Sequence, residues 1–184
     1  MDSLPPRIAA VLILAYPKEG EPHVVFTRRS ASLPDHPGQI SLPGGSRDVE
    51  DADLAATAIR ETYEELGVPP REIEILGPLP EVYIPISRFL VTPYVGAIGF
   101  RPDFAPNVHE VAEVIEVPLR GLRDPIAYHE EYRTRGRELH QVWFYSHGET
   151  EIWGATARVV QEFLESPYVD VAFRRVAQAV ATHG

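Results

Sequence analysis

Three glutamates fall within five residues of "RETYEELGV": Glu61, Glu64 and Glu65. At roughly 100° per residue they share an arc of about 100° on one helix face. Like charges at i,i+3 and i,i+4 oppose an isolated helix by a few tenths of a kcal/mol per pair (roughly). Arg60 is the one basic neighbour placed to relieve them, through an i,i+4 contact with Glu64. Such a face is either simply solvated or a set of hard oxygen donors for a cation such as Mg²⁺ or Mn²⁺. Directly upstream lies "LPGGSRD". Gly44 and Gly45 make a turn without side chains, whose carbonyls and amides can come close to a metal or a phosphate.

The elements that position this face follow from the apolar pattern. Ala55, Ala58, Ile59, Thr62, Tyr63 and Leu66 recur at helical spacing and predict a helix from about residue 52 to 66, with Gly67 as C-cap and Pro69 and Pro70 blocking continuation. "RIAAVLILAY" and "HVVFTRRS" read as two strands of a hairpin joined by a longer loop, "PKEGEP". The stretch "SLPDHPGQISLPGGSRDVED" reads as a long functional loop. Strand-like runs follow in "EIEILG", "EVYIP", "FLVTPYVGAIGF", "AEVIEVPL" and "HQVWFYSH", and two helices close the chain at about residues 155–182. Trp153, just before them, is expected in the core. The pattern predicts an α+β (mixed α/β) fold, with a single domain over residues 1–184.

Composition narrows the function. The net charge of −10 argues against nucleic acid as partner, and requires that an anionic substrate be held by a local arginine or a metal. The chain has no cysteine, which excludes disulfides and thiolate metal sites. The N-terminal apolar run is too short to span a membrane and lacks a basic leader, so no membrane partner and a cytoplasmic location are expected.

The stretch "GGSRDVEDADLAATAIRETYEELGV", residues 44–68, resembles the Nudix box, with Gly45, Arg60, Glu61, Glu64, Glu65, Gly67 and Val68 in matching positions. Counted back from Arg60, the first acidic position of that box falls on Ala52, with Asp51 one residue earlier. Thr62 replaces the usual aliphatic residue. The resemblance implies a mixed sheet sandwiched between helices and a loop–helix–loop that binds divalent metal. It also implies hydrolysis of a nucleoside diphosphate linked to another group. Carried over, the metal ligands are Glu61, Glu64, Glu65 and the Gly45 carbonyl, with Glu64 and Glu65 also catalytic.

Upstream, "VVFTRRSASLPDHPGQISLPGG" is similar to the extra motif of the coenzyme A pyrophosphatase branch, through Thr27, Arg29, Ser30, Gly38, Gln39, Pro43, Gly44 and Gly45. Pro34 stands where many members have arginine, and Leu42 replaces phenylalanine. This likeness implies a substrate such as coenzyme A or acyl-CoA, split into 3′,5′-ADP and a 4′-phosphopantetheine. Arg29, His36, Gln39 and Gly44 are the expected substrate contacts. Arg28, next along the strand, is expected to face the other way. For the general base, Glu110 in "NVHEVAEVIEVPL" joins the helix glutamates as a candidate, and position matching favours it over Glu113. A Nudix hydrolase of ADP-ribose or a dinucleotide, and a non-catalytic Nudix-like regulator, are the alternative readings. A homodimer is a possible assembly.

Overall fold

The structure, a computed structural model, describes residues 5–136 and 138–183. Its strands and helices run β1 (Arg7–Lys18), β2 (Glu21–Arg29), β3 (Ile40–Ser41), β4 (Gly44–Ser46), α1 (Leu54–Leu66), β5 (Glu74–Pro78), β6 (Val82–Ile84), β7 (Phe89–Ala97), β8 (Val111–Pro118), α2 (Leu119–Arg123), β9 (Tyr128–Arg135), β10 (Glu138–His147), β11 (Thr150–Trp153), α3 (Gly154–Glu165) and α4 (Tyr168–His183). Among the described residues β1 to β8 form one mixed sheet, and β9, β10 and β11 a small antiparallel one. This is an α+β fold.

β1 is the central strand, parallel to β7 and antiparallel to β2 and β4. Its side chains alternate between two cores. Ala10, Leu12, Leu14 and Tyr16 pack with Ala58 and Leu66 of α1. Ile13 and Ala15 pack on the other face, in the cluster that holds Val160 and Phe163 of α3 and Val176 of α4. Burial on both faces explains why "RIAAVLILAY" is apolar without alternation. Each fully buried leucine of this strand contributes roughly 1.5–3 kcal/mol of transfer free energy. The sheet thus lies between α1 on one side and the C-terminal helices on the other.

Four sequence expectations are corrected. The β1–β2 hairpin closes through Glu19 and Gly20 alone, because both adopt positive φ (53° and 80°), as a tight primed turn requires. The residues around them continue the ladder, with Lys18 opposite Glu21 and Pro17 opposite Pro22. The long loop after β2 is interrupted by two short strands, β3 on β2 and β4 on β1. β9 and β11 were not expected, since "YHEEYRTR" is largely polar and "TEIW" is only four residues long. Finally, α1 starts at Leu54 rather than near residue 52, because the Asp53 side chain caps it by accepting the Ala56 N–H at 2.8 Å.

Candidate active site

α1 brings its carboxylates to different depths. Thr57, Ala58, Thr62 and Leu66 face the sheet and are buried, and Glu65 lies with them at 4 % exposure. The Glu61 side chain is 14 % exposed and that of Glu64 49 %. The shared arc read from the helical wheel therefore runs from the core to solvent. Thr62 is accommodated in the core because its hydroxyl donates to the Ala58 carbonyl at 2.7 Å. Gly67 ends the helix in the left-handed region (φ 71°) and returns its N–H to the Tyr63 carbonyl.

Arg60 fastens the preceding loop to this helix. Its Nε and Nη2 donate to the two oxygens of Asp51 at 2.9 and 3.0 Å, and Nη2 also donates to the Ser46 carbonyl at 3.0 Å. Its Nη1 donates to Glu61 and to Glu64, both at 3.0 Å. The expectation that Arg60 would relieve Glu64 alone is thus too narrow. Asp51 is buried and also accepts from the Thr57 hydroxyl and the Asp48 N–H. The Arg60 hydrogen bond, chiefly, holds its carboxyl far below the usual carboxylate range. The loop absorbs the one-residue offset noted in the sequence, and Asp51 supplies the acidic partner of Arg60.

Gly45 lies directly over Glu61: a Cβ built there would sit 2.5 Å from the Glu61 Cδ. A side chain at Gly44 would run into the Ala10 carbonyl and Val11 of β1. The backbone contact, at φ 153°, requires glycine at position 44, whereas a side chain at position 45 would push the Glu61 carboxylate aside. The Gly44 backbone amide lies close enough to the Glu65 carboxylate to lower its pKa. Burial, then the charge of Glu61, pushes the Glu65 carboxyl up to about 8; Arg29 pulls it down, and Glu110 adds to the rise. Glu61 is likewise raised, by burial first, opposed by Arg60 and reinforced by Glu64 and Glu110. One oxygen of Glu65, Oε2, is buried with no hydrogen-bond partner among the described residues. Among those residues, no three His, Asp or Glu side chains converge tightly enough, as they stand, to hold a metal ion.

Glu110 comes from a turn laid across the end of α1. Two of the last carbonyls of the helix accept from this segment: Leu66 from the Ala105 N–H and Glu65 from the Asn107 N–H, both at 2.9 Å. Asn107 then directs its side-chain amide to Glu110 Oε1 at 2.9 Å, while its carbonyl accepts from the N–H groups of Glu110 and Val111. Nothing in the sequence reading singled out Asn107, although Asn is a turn residue whose side chain bonds the backbone two residues on, as it does here by accepting the His109 N–H at 3.2 Å. Glu113 is engaged elsewhere, in a 2.7 Å cross-strand pair with Arg28.

The loop after β2 divides its residues between two places. Arg29 is near enough to Glu65 to lower its pKa, and its Nε donates to the Asp35 carbonyl at 3.2 Å. The turn folds back on the strand through Arg29 N–H to Gln39 carbonyl (2.9 Å), Gly38 N–H to Arg29 carbonyl (3.1 Å) and Ser30 N–H to Glu110 carbonyl (2.8 Å). His36 and Gln39 bond each other, Nδ1 to Oε1, at 3.1 Å. Gln39 lines a cavity with Arg28 and Trp153. Trp153 is 43 % exposed, which corrects its expected place in the core; β11 buries Ile152 instead.

The NUDIX domain family model matches residues 6–132. The uncharacterized Nudix hydrolase NudL of Pectobacterium atrosepticum is 38 % identical over 158 residues, which cover 85 % of this chain and 80 % of that protein. Among solved structures, a MutT/nudix family protein from Enterococcus faecalis superposes with a TM-score of 0.60 at 18 % identity, over 98 % of this chain and 69 % of that one. The Nudix hydrolase RenU from M. smegmatis gives 0.55 at 19 %, over 99 % and 90 %. These two show likeness of fold. With the domain match spanning well over half of the sequence and a relative this similar along most of both chains, the chain belongs to the Nudix hydrolase family.

Proposed function

We propose that this member of the family hydrolyses the diphosphate linkage of coenzyme A or acyl-CoA, releasing 3′,5′-ADP and a 4′-phosphopantetheine. The observation that carries the reading is the placement of Arg29. It sits in the stretch that resembles the coenzyme A motif and acts electrostatically on Glu65 of the acidic helix. A protein of net charge −10 needs such a local cation to hold a polyanionic substrate.

Glu61, Glu64, Glu65 and the Gly45 carbonyl would hold Mg²⁺ or Mn²⁺. The donor set fits a hard divalent cation. Glu65 Oε2 is buried without a partner, and burial raises the pKa of both Glu61 and Glu65. A positive charge there reverses that shift. When bound, the metal would neutralise charge on the diphosphate and acidify the attacking water. Arg29 orients the diphosphate, and the Gly44 turn leaves room for its close approach. Glu110 takes the proton of the attacking water, because it stands apart from the helix donors and a carboxylate bound to metal is a poorer base. The new bond joins water oxygen to phosphorus, and the phosphorus–bridging oxygen bond breaks.

Asn107 holds Glu110 Oε1, which leaves the other carboxylate oxygen for water. Asn107→Ala is expected to lower kcat about tenfold or more, since a hydrogen bond to a charged group contributes roughly 1.5–3 kcal/mol, with KM nearly unchanged. In a Glu110→Gln background the same substitution should cost little more. Fully additive losses would mean that Asn107 supports the fold rather than the base.

Coenzyme A differs from dephospho-CoA by its 3′-phosphate. The proposed reading expects a higher kcat/KM on coenzyme A, by roughly 10- to 150-fold for one charge-assisted contact. Arg29→Ala should lower activity on coenzyme A. If Arg29 holds the 3′-phosphate the gap narrows, and if it holds the diphosphate both substrates suffer equally. Equal efficiency of the parent on both substrates, or faster hydrolysis of ADP-ribose, rejects the coenzyme A assignment and leaves the family chemistry standing.

A further inference from the structure

We propose that the cavity beside Trp153 is a nucleobase subsite, which takes the adenine ring of the nucleotide whose diphosphate lies at the acidic helix. The cavity has a volume of about 470 Å³ and is lined by Trp153, Gln39, Arg28, Glu149 and Glu151 among others. It is an open and mainly polar hollow, with a volume within the range of small-molecule sites. The assignment rests on the nucleotide-hydrolase reading above and adds the place of the base to it.

Trp153 ends β11 and leads into α3. Its neighbours do the packing: Ile152 and Ala157 are fully buried, while Trp153 stays 43 % exposed and lines the cavity. A lone exposed apolar side chain means little. An indole face bordering a cavity that also presents an amide and carboxylates is the arrangement that stacks and reads a base.

The charges select a neutral ring over a phosphate. Arg28 is the cation of the wall, and it is already paired with Glu113 at 2.7 Å. Glu151 is held by Arg133 through two hydrogen bonds of 2.9 Å. Glu149 adds a further negative charge to the wall. A diphosphate is repelled there, whereas the exocyclic amine of adenine finds carboxylate acceptors. Because His36 donates to Gln39 Oε1, the Gln39 –NH₂ remains to donate to a ring nitrogen.

The cavity is joined to the acidic helix through the same loop. Arg28 and Arg29 are consecutive on β2 and point to opposite faces of it. Arg29 acts on Glu65, and Arg28 lines the cavity. Gln39, whose carbonyl accepts the Arg29 N–H, stands between them. Thr156 of α3 donates to the Ile40 carbonyl at 3.0 Å and fixes the Trp153 side of the cavity to this loop. In this assignment the substrate crosses the turn that holds Gln39, from Arg29 on one face of β2 to Trp153 on the other.

The protein has two tryptophans, Trp143 and Trp153, so fluorescence can report the site. Titration with 3′,5′-ADP is expected to quench emission in the parent and in Trp143→Phe, and to leave Trp153→Phe unchanged. 4′-Phosphopantetheine should give no quench. Trp153→Ala should raise KM for coenzyme A by roughly 5- to 150-fold, the range for loss of one base stack, with kcat near the parent value. Trp153→Phe, which keeps an aromatic face, should recover most of that loss. A quench that persists in Trp153→Phe, a quench by 4′-phosphopantetheine alone, or an unchanged KM in Trp153→Ala overturns the subsite. These results are separable from failure of the functional reading. If coenzyme A is not hydrolysed but 3′,5′-ADP and ADP-ribose still quench Trp153, the adenine subsite stands without the coenzyme A assignment. If coenzyme A is hydrolysed and Trp153 is silent, only the subsite falls.

Discussion

Glu65→Gln is expected to abolish nearly all turnover while the metal-free protein becomes more stable than the parent. The loss follows from the proposed metal role. A Lewis-acid metal contributes several kcal/mol to the transition state, and each step of about 1.36 kcal/mol is tenfold, so a drop on the order of 10³-fold or more is expected. The stability gain follows from burial. Glu65 is 4 % exposed and its Oε2 has no partner among the described residues. Its pKa rises from 4.5 to about 8 on folding, because burial and the nearby Glu61 disfavour the charge. Between those values the folded state binds the extra proton. Stability contributed by this group is therefore complete below about pH 4.5 and lost as the pH rises through about 8. Glutamine carries no charge, so the variant should lose this slope. Melting curves of the metal-free proteins between pH 5 and 8.5 test it: the parent should soften with rising pH and Glu65→Gln much less. Added Mg²⁺ should raise the parent Tm at pH 8 and leave the variant nearly unmoved. Glu64→Gln should also remove most turnover, but with little effect on metal-free stability, because Glu64 is half exposed. Full activity in both variants, together with a parent that gains nothing from metal, rejects the metal site.

Glu110→Gln should lower kcat by about 10²–10⁴-fold, the usual cost of losing a general base. It should spare the Mg²⁺-induced rise in Tm, since Glu110 comes from the turn after residue 107 and not from α1. The amide of glutamine still accepts from Asn107, so the turn should persist. Glu113→Gln provides the contrast: that carboxylate is paired with Arg28 and its loss should change kcat only a few-fold. A Glu110→Gln rate within a few-fold of the parent moves the base to a helix glutamate.

The helix and its acidic face were legible because both obey the 3.6-residue period, and Gly67 marks the end without ambiguity. β1 and β2 were legible because burial on both faces leaves unbroken apolar runs. β9 escaped notice for the opposite reason: its apolar positions Tyr128 and Tyr132 are both exposed and stand among charged residues, which leaves nothing that a period-two pattern can detect. The unequal depth of Glu61, Glu64 and Glu65 depends on how α1 rolls against β1 and β4, which spacing alone does not specify. Asp51 could be found as an acidic residue near the box, but its partnership with Arg60 depends on the path of the loop. Asn107 acts through two side-chain bonds and three backbone ones, and none of these leaves a periodic trace. Trp153 was misplaced because a tryptophan is highly buried on average, and the short strand β11 that holds it at the surface was not expected.

The most direct test of the proposed activity is to incubate the protein with coenzyme A, ADP-ribose, NADH and diadenosine polyphosphates, each with Mg²⁺ and with Mn²⁺, and to separate the products. The account predicts that coenzyme A is consumed fastest and yields 3′,5′-ADP and 4′-phosphopantetheine in equal amounts, with no product when the metal is chelated. Preferential cleavage of ADP-ribose or a dinucleotide, or binding of all four without cleavage of any, contradicts it.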